Sequence, residues 1–452
     1  MSSLLRARER QRIPVRRYLL ASLLSGVAGI LALSSVAHAA NIPLTLEAAQ
    51  RRAVLRSSQL SAQDFTVAAA REMAVAAGQL PDPVLTLGLD SWPVNGPNRF
   101  SFGDDDFTMG RVAVAQEWTR AEKRQLRTQR QNREGDKTQA EKTATVAEIQ
   151  RDTALAWLDR YYAEAMAAVI AEQHKAVAFE IVMADSAYRG GLGNQADVIA
   201  AHSALVDLED RASEINSRVR TAKTRLARWV GEAAELPLAG KPAIDVVQLD
   251  RSALETQLAH HPQVALLDKQ QELAWTEAKL AEANKHADWS VELAYAQRGS
   301  GLSDFVSVNV SIPLQFAQKN RQDREVAAKL ALAQQVGAER EEAVRMYVGE
   351  VLAQLETWEN SRERLARYTR DTIPLAAVRT HAALAAYRGE KATSTDLLLA
   401  RRDEIDLRLR AVELENKIAR LWARLNFLFP EDHQTPAGAA AANPRTLDEE
   451  LK

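Results

Sequence analysis

One pattern of apolar residues occurs twice in the chain, at a constant offset of 199 positions. In each copy the positions follow one another at alternating spacings of three and four residues, which places their side chains on one stripe of a helix. The first copy is Val198, Ala201, Leu205, Leu208, Ala212, Ile215, Val219, Ala222, Leu226 and Trp229. The second is Leu397, Ala400, Glu404, Leu407, Ala411, Leu414, Ile418, Leu421, Leu425 and Leu428, apolar everywhere except at Glu404. Such a seam requires a partner helix along its length, so the chain is predicted to be an internal duplication of long helical hairpins.

The duplication extends beyond the seam. Residues 187–190, with the sequence Ala-Tyr-Arg-Gly, recur at 386–389, and Asp197 recurs as Asp396. Glycine and proline breakers divide the rest into matching halves. The predicted order in the first half is helix 47–79, strands 84–90 and 107–116, and helices 119–189 and 194–230. The predicted order in the second half is helix 262–287, strands 289–297 and 304–313, and helices 317–388 and 394–428.

These elements define the domain prediction. Residues 41–230 form a first structural repeat, with a β-hairpin at 84–116 and a tip turn at 190–193. Residues 251–430 form a second repeat, with a hairpin at 289–313 and a tip turn at 389–393. A linker that contains two prolines and two glycines connects them at 231–250. Residues 431–452 are predicted to be a flexible C-terminal tail.

The first 40 residues are typical of a secretory signal peptide. An arginine-rich segment precedes an apolar run at 18–33, and small residues follow at 37–40. We expect cleavage after Ala39 or Ala40, with an uncleaved anchor helix as the alternative. The chain has no cysteine, which excludes disulfides and thiolate metal sites. Its net charge of -2 argues against nucleic acid as a partner.

Apolar and polar residues alternate in the predicted strands, as they do in strands that cross a membrane. The apolar positions of the second hairpin are Trp289, Val291, Leu293, Tyr295, Val306, Val308, Val310 and Ile312. Trp289 and Tyr295 are predicted to be membrane anchors at the ends of their strand. The first hairpin fits less well, because Arg111 interrupts its second strand. A soluble hairpin packed on helices is the alternative. Four strands cannot close a barrel alone, so membrane strands would require a dimer, a trimer or a tetramer.

The order of elements and the turn segments 188–197 and 387–396 resemble the TolC family of bacterial outer-membrane efflux channels, over essentially the whole mature chain. The resemblance implies a mainly α fold with membrane β-structure. In this fold a homotrimer builds a twelve-stranded outer-membrane barrel and a long helical barrel that crosses the periplasm. The linker at 231–250 would contribute to an equatorial belt. Residues 79–83 and 122–124 resemble the heavy-metal branch, which works with a periplasmic membrane-fusion adaptor and an inner-membrane resistance-nodulation-division pump.

The resemblance also assigns roles to residues of the two tip turns. It implies that the adaptor docks at tip residues Gly190, Gly191, Leu192 and Gly389. It implies a periplasmic gate of Asp197, Tyr387 and Asp396, in which Asp396 forms a threefold ring that attracts cations and the Asp197 carboxylate accepts a hydrogen bond from Tyr387. The sequence departs from the family pattern at Leu399, in place of a second ring aspartate, and at Ala392, in place of a locking arginine.

Other classes of function remain as alternatives. No catalytic triad, phosphate loop or metal-ligand cluster stands out from the heptads, so no enzyme, cofactor or metal site is predicted. A channel of the general drug-export or type I secretion branch is one alternative. A periplasmic coiled-coil scaffold without a membrane barrel is the other.

Overall fold

The computed structural model describes residues 42–101, 103–191, 193–241, 243–299, 301–389 and 391–431. The predicted signal peptide at 1–40, the predicted tail beyond residue 431 and Leu192 of the first tip turn lie outside these residues. Long helices dominate the described part, together with one four-stranded antiparallel sheet. This confirms the predicted fold class.

A single long helix organises the first half of the chain. Its elements are α1 (Leu46–Arg56), α2 (Ser58–Ala77), β1 (Val84–Asp90), β2 (Met109–Trp118), α3 (Ala121–Arg189) and α4 (Gln195–Val230). Helix α3 has 69 residues, and a rise of ~1.5 Å per residue makes it about 104 Å long. The Thr128 hydroxyl donates a hydrogen bond to the Ala74 carbonyl, which places α2 along the strand-side part of α3. Helix α4 packs along the rest of α3, as far as the tip turn.

The second half repeats this order. Its elements are α5 (Leu254–Leu258), α6 (Pro262–Ala283), β3 (Trp289–Arg298), β4 (Phe305–Ser311), α7 (Gln322–Arg367), α8 (Ile373–Arg388) and α9 (Ser394–Asn426). Helix α6 contacts both α7 and α3, so the two halves share a helical wall. The linker contains short 3-10 turns at Gly231–Glu235 and Arg251–Ala253, and an isolated bridge joins Leu238 to Leu44.

The predicted helix 47–79 is not continuous. Ser57 has an extended backbone, with φ -70° and ψ 107°, and separates α1 from α2. Its side-chain oxygen accepts a hydrogen bond from the Leu60 N–H, so Ser57 is the N-cap of α2. The sequence prediction was wrong here because serine occurs both inside helices and at their caps.

The predicted helix 317–388 is also interrupted. A π-helical turn, Tyr368–Thr372, joins α7 to α8, and the Ile373 N–H donates to the Tyr368 carbonyl five residues back. Pro374 follows directly and has no N–H to donate to the carbonyl of Arg370. The wider turn therefore accommodates a proline that the regular helical ladder cannot.

Most of the apolar core lies near the middle of α3. Trp157, Leu158 and Tyr162 are fully buried there against α4, α7, α9 and the linker. The Trp157 indole N–H donates to the Leu44 carbonyl at 2.9 Å, which fixes the chain before α1 to this core. The linker predicted at 231–250 thus packs around the middle of the helical rod.

Helix α4 buries only alternate members of its predicted seam within one copy of the chain. The buried members up to residue 222 are Ala201, Leu208, Ile215 and Ala222. The half-exposed members between them are Val198, Leu205, Ala212 and Val219. One side of this stripe therefore packs on α3, and the other side remains partly exposed in the single chain.

The seam of α9 contains a buried ion network around Glu404, which is 3% exposed. Arg401 and Arg408 both contact the Glu404 carboxylate, at 3.4 and 2.8 Å. Arg401 also donates to Glu180 of α3, from Nε at 3.1 Å and from Nη2 at 2.9 Å. The charged exception in the sequence pattern is thus paired, as buried charges must be.

Candidate functional site

One face of the sheet is apolar across all four strands. Each strand pairs antiparallel with the next in the order β1-β2-β3-β4, and the register aligns Leu87, Val112, Tyr295 and Val306 in one row. The apolar members are Leu85, Leu87, Leu89, Val112, Val114, Val291, Leu293, Val306, Val308 and Val310. They are largely solvent-exposed in the single chain, with Leu87 at 69% and Val306 at 70%. A continuous exposed surface of this kind marks an interaction with lipid or protein.

Arg111 does not interrupt this face, so the sequence interpretation of the second strand was wrong. Side chains alternate across a strand, and Arg111 points to the opposite face from its neighbour Val112. There it forms an ion pair with Glu292 and lies 3.7 Å from Asp90. The Asn309 amide donates to Glu292 at 3.0 Å. The opposite face therefore carries a paired polar cluster, and β2 follows the same alternation as the other strands.

Aromatic residues lie at both ends of the apolar face. At the helix end, Trp289 stacks on Trp118 with ring centroids 5.1 Å apart and an interplanar angle of 12°. Toward the other end, the Tyr295 hydroxyl donates to Asp304. The second strand predicted from the sequence ends at Gln116 and so does not include Trp118, whereas the observed strand does. The aromatic residue two positions further on was the available signal.

A buried ion pair joins the sheet to α3. The Lys123 side chain is 5% exposed, and its Nζ donates to Asp288 Oδ2 at 2.8 Å. The backbone N–H of Arg120 donates to the other oxygen of Asp288 at 3.0 Å. Arg124 donates to the Gly78 carbonyl at 3.3 Å. These contacts connect the ends of α2 and α3 to the start of β3, and so fix the sheet relative to the helical rod.

The first tip turn needs glycine at two positions for different reasons. Gly191 has a φ of +74°, which L-residues rarely adopt. At Gly193, a Cβ atom would lie 3.2 Å from the Ala187 Cβ and 3.3 Å from the Tyr188 nitrogen. Gly190, by contrast, has a φ of -77°, which any residue adopts. The reversal is therefore made by one left-handed residue and one close backbone approach.

The second tip turn reverses the chain differently. Gly389 has a φ of -92°, and its N–H donates to the Ala385 carbonyl at 3.1 Å. The Lys391 N–H donates to the Ala386 carbonyl at 2.9 Å. Beyond this turn Leu399 is exposed and Ala392 is half-buried. The two tips thus share a sequence pattern but have different turn geometry.

Both predicted gate aspartates close capping boxes. The Asp197 N–H donates to the Asn194 side chain at 2.9 Å, and the Asn194 N–H donates back to the Asp197 carboxylate at 3.5 Å. Asp396 exchanges the corresponding bonds with Thr393. The Thr393 hydroxyl also donates to the Asp396 carboxylate at 2.7 Å. These bonds from the Thr393 hydroxyl and N–H lower the pKa of Asp396, which is exposed and therefore carries a fixed, oriented charge.

Tyr387 lies near Asp197 but does not hydrogen-bond to it in the described residues. Burial raises the pKa of the half-buried Tyr387, and the Asp197 charge raises it further. The Asp197 carboxylate is directed to Asn194 instead. The expected Tyr387–Asp197 hydrogen bond is therefore not formed within the single chain, where the capping bond at the start of α4 is the local alternative for the same carboxylate.

The described residues hold no metal-binding cluster and no helix that could span a membrane. In those residues, no group of three or more histidine, cysteine, aspartate or glutamate side chains is arranged to hold a metal ion. None of the helices seen there is both long and apolar enough to span a membrane.

Comparison with known structures defines the class of fold. The chain has the fold of solved outer-membrane channels. The outer-membrane channel OprN matches with a TM-score of 0.71 and 16% identity, over 85% of this chain and 90% of OprN. CusC, a protein that forms a transmembrane channel, matches with a TM-score of 0.72 and 14% identity, over 86% of this chain and 93% of CusC. The outer membrane protein VceC of Vibrio cholerae matches at 0.68 and 17%, over 85% of this chain and 95% of VceC. A scan against family models and a search of curated proteins find no match.

Proposed function

We propose that this chain is the outer-membrane channel of a tripartite efflux system and works as a homotrimer. The observation that carries the proposal is the apolar sheet face, which ends in aromatic residues and lies at one end of a helical rod about 104 Å long. Three copies supply twelve strands, enough to close a barrel, and their helices form a conduit through the periplasm. The likeness in fold to outer-membrane channels supports the same arrangement.

The free edges of the sheet support oligomerisation. In the single chain β1 pairs only with β2, and β4 pairs only with β3, so the described strands leave one ladder edge of each unpaired. Lipid does not satisfy backbone N–H and C=O groups, and a membrane sheet must close on itself. Joining β4 of one copy to β1 of the next removes both edges. The half-exposed members of the α4 seam give the helices a matching reason to pack against a neighbouring copy.

The tips are proposed to be the periplasmic entrance. Gly190, Gly191, Leu192 and Gly389 would form the surface that a periplasmic adaptor contacts. Asp396, held by its capping box, would present one carboxylate per copy to the entrance and attract cations. In this proposal Tyr387 and Asp197 shape the entrance by packing and by charge rather than through a mutual hydrogen bond.

The proposed substrates are metal cations, delivered by an inner-membrane resistance-nodulation-division pump. This assignment rests on the resemblance of residues 79–83 and 122–124 to the heavy-metal branch. Both segments also have structural roles, because Gln116 donates to the Pro81 carbonyl at 2.9 Å and Lys123 binds Asp288. Deletion of the gene should sensitise the host to copper, silver, cobalt, zinc or cadmium. Sensitivity only to detergents and organic drugs would contradict the metal assignment and favour the drug-export branch.

A matched pair of variants tests the membrane role of the sheet. Val308 lies on the apolar face, and its neighbour Ser307 lies on the opposite one. Val308→Asp should prevent insertion, because a charge facing lipid is costly, whereas Ser307→Asp should leave a heat-modifiable oligomer in the membrane fraction after an alkaline wash. Equal insertion of both variants would contradict the proposal. Removal of the parent protein by the alkaline wash would favour the periplasmic scaffold.

A further inference from the structure

The apolar stripe of β4 continues past the end of the strand. Ile312, Leu314 and Phe316 have the same parity as Val306, Val308 and Val310, and all three are exposed. Leu314 is 71% exposed and Phe316 is 91% exposed. Three more apolar side chains thus follow the strand toward the helices, and the described residues leave all three exposed.

Cations follow this stripe directly. Lys319, Arg321 and Arg324 are exposed, and within the described residues none of them contacts a carboxylate. The nearby Asp323 pairs with Lys285 at 3.0 Å, and Lys285 also contacts Glu282 at 2.9 Å. Glu325 is the remaining acidic neighbour, and it is exposed. The segment therefore presents three free cations against one free carboxylate.

The same order of residues occurs at the end of β2. Trp118 is followed by Arg120, whose Nε donates to the Ala287 carbonyl at 3.2 Å. Arg120 has no carboxylate partner for its guanidinium in the part of the chain that the structure describes. Both β2 and β4 run toward the helices. An aromatic residue followed by a cation therefore occurs twice at the helix end of the sheet, once after each of these strands.

We propose that residues 312–324 form a binding element for the headgroups of anionic phospholipids in the periplasmic leaflet. It rests on the proposed membrane role of the sheet. Ile312, Leu314 and Phe316 would contact the acyl region, and Lys319 and Arg321 would meet the lipid phosphates. The arrangement suits a membrane boundary, where aromatic rings lie at the headgroup level and basic groups attract anionic lipid. The choice of lipid follows from charge complementarity and from the continuity of the stripe with the apolar sheet face.

Native mass spectrometry of the intact oligomer tests the proposal. The oligomer is mixed with equal amounts of phosphatidylglycerol and phosphatidylcholine, and the two bound lipids are counted. One cation near an anionic surface is worth about fivefold in affinity, so the parent should retain several times more phosphatidylglycerol. The triple variant Lys319→Gln, Arg321→Gln, Arg324→Gln should bring the ratio close to one. The variant Arg321→Lys, Arg324→Lys keeps the charge and should keep the preference.

Matched controls separate headgroup binding from general charge. Arg52, Arg220 and Arg225 are exposed in α1 and α4 and have no carboxylate partner in the described residues, and changing all three to Gln should leave the lipid ratio unchanged. Glycerol 3-phosphate at the concentration of the lipid should not displace phosphatidylglycerol. Displacement would overturn the proposal in favour of a site for soluble anions.

Two further outcomes would overturn it. An equal lipid ratio for the parent and the triple variant would show that these cations do not meet lipid. Dissociation of the oligomer in the triple variant would show that residues 312–324 are a contact between copies. The proposed channel function is judged separately by the conductance of the parent protein in planar bilayers, which either result leaves unaffected.

Discussion

Removing the Arg401 guanidinium should destabilise the helical rod near its tip. Arg401 donates two hydrogen bonds to Glu180 and lies 3.4 Å from Glu404, and both carboxylate side chains are 4% exposed. Without the Arg401 guanidinium, Glu404 would still contact Arg408, at 2.8 Å, but Glu180 would lose both of its hydrogen bonds. Breaking a buried ion pair by removing one partner costs about 3–5 kcal/mol. We therefore expect Arg401→Met to lower stability by several kcal/mol per copy.

The cost should depend on pH, with a sign set by Glu180. Burial raises the pKa of Glu180, although Arg401 opposes the shift. The folded state thus binds this proton more tightly than the unfolded state does. Stability from Glu180 is largest below its ordinary pKa and is lost as pH rises through the raised value. Without Arg401 the pKa should rise further, so Arg401→Met should be least destabilising in acid.

Thermal melts followed by circular dichroism, with hydrogen exchange of residues 173–184 and 397–408, measure this effect. Arg402→Met is the matched control, because Arg402 is exposed and has no ion pair in the described residues. Adding Glu180→Gln to Arg401→Met should restore more than half of the loss, since no buried charge is then left unpaired. Equal melting of Arg401→Met and Arg402→Met at pH 8 would refute the reasoning.

Three further predictions concern other parts of the molecule. Asp288→Asn should destabilise the protein by about 3–5 kcal/mol, because it leaves the buried Lys123 ammonium without its carboxylate; an oligomer that survives heating in detergent as well as the parent does would contradict this. Burial, aided by the charge of Arg151, lowers the pKa of His261 to about 4. The contribution of His261 to stability is therefore complete above the ordinary histidine pKa of ~6.5 and is lost as pH falls toward 4. In melts from pH 4 to 7, the melting temperature of His261→Gln should depend less on pH than that of the parent. In planar bilayers Asp396→Asn should reduce cation selectivity. Tyr387→Phe should leave conductance near that of the parent, because the single chain forms no Tyr387–Asp197 hydrogen bond for the change to remove; a raised conductance in Tyr387→Phe with unchanged selectivity in Asp396→Asn would favour the hydrogen-bonded gate.

The sequence predicted the elements whose ends are marked by strong breakers. Strand Val84–Asp90 lies between Pro83 and a turn-rich segment, and the structure gives it the same bounds. Helix α4 differs from its prediction by one residue, because the glycine turn before it and Gly231 after it limit the pattern. The breaks at Ser57 and at Tyr368–Thr372 were missed, since residues that tolerate a helix interior give no periodic signal when they end one.

The face of the sheet on which a strand residue lies could not be assigned without the neighbouring strands. A single strand indicates which residues alternate, but the cross-strand register decides which set faces which side, and Arg111 was assigned correctly only beside Val112 and Glu292. The entrance residues show the same limit. The predicted helix starts placed Asp197 and Asp396 in the first helical turn, but the N–H groups from which their carboxylates accept are seen only in the structure.

The measurement that tests the central claim most directly is covalent closure of the sheet between copies. The chain has no cysteine, so a variant with Leu87→Cys in β1 and Val308→Cys in β4 carries only the two introduced thiols. Val306→Cys and Val310→Cys replace Val308→Cys in parallel variants, which covers neighbouring registers. After oxidation in membranes, at least one pair should give a ladder on denaturing gels that ends at the trimer, and reduction should return it to monomer. Monomer only in all three variants, or a ladder that ends at the dimer or tetramer, would contradict a twelve-stranded barrel formed by three copies.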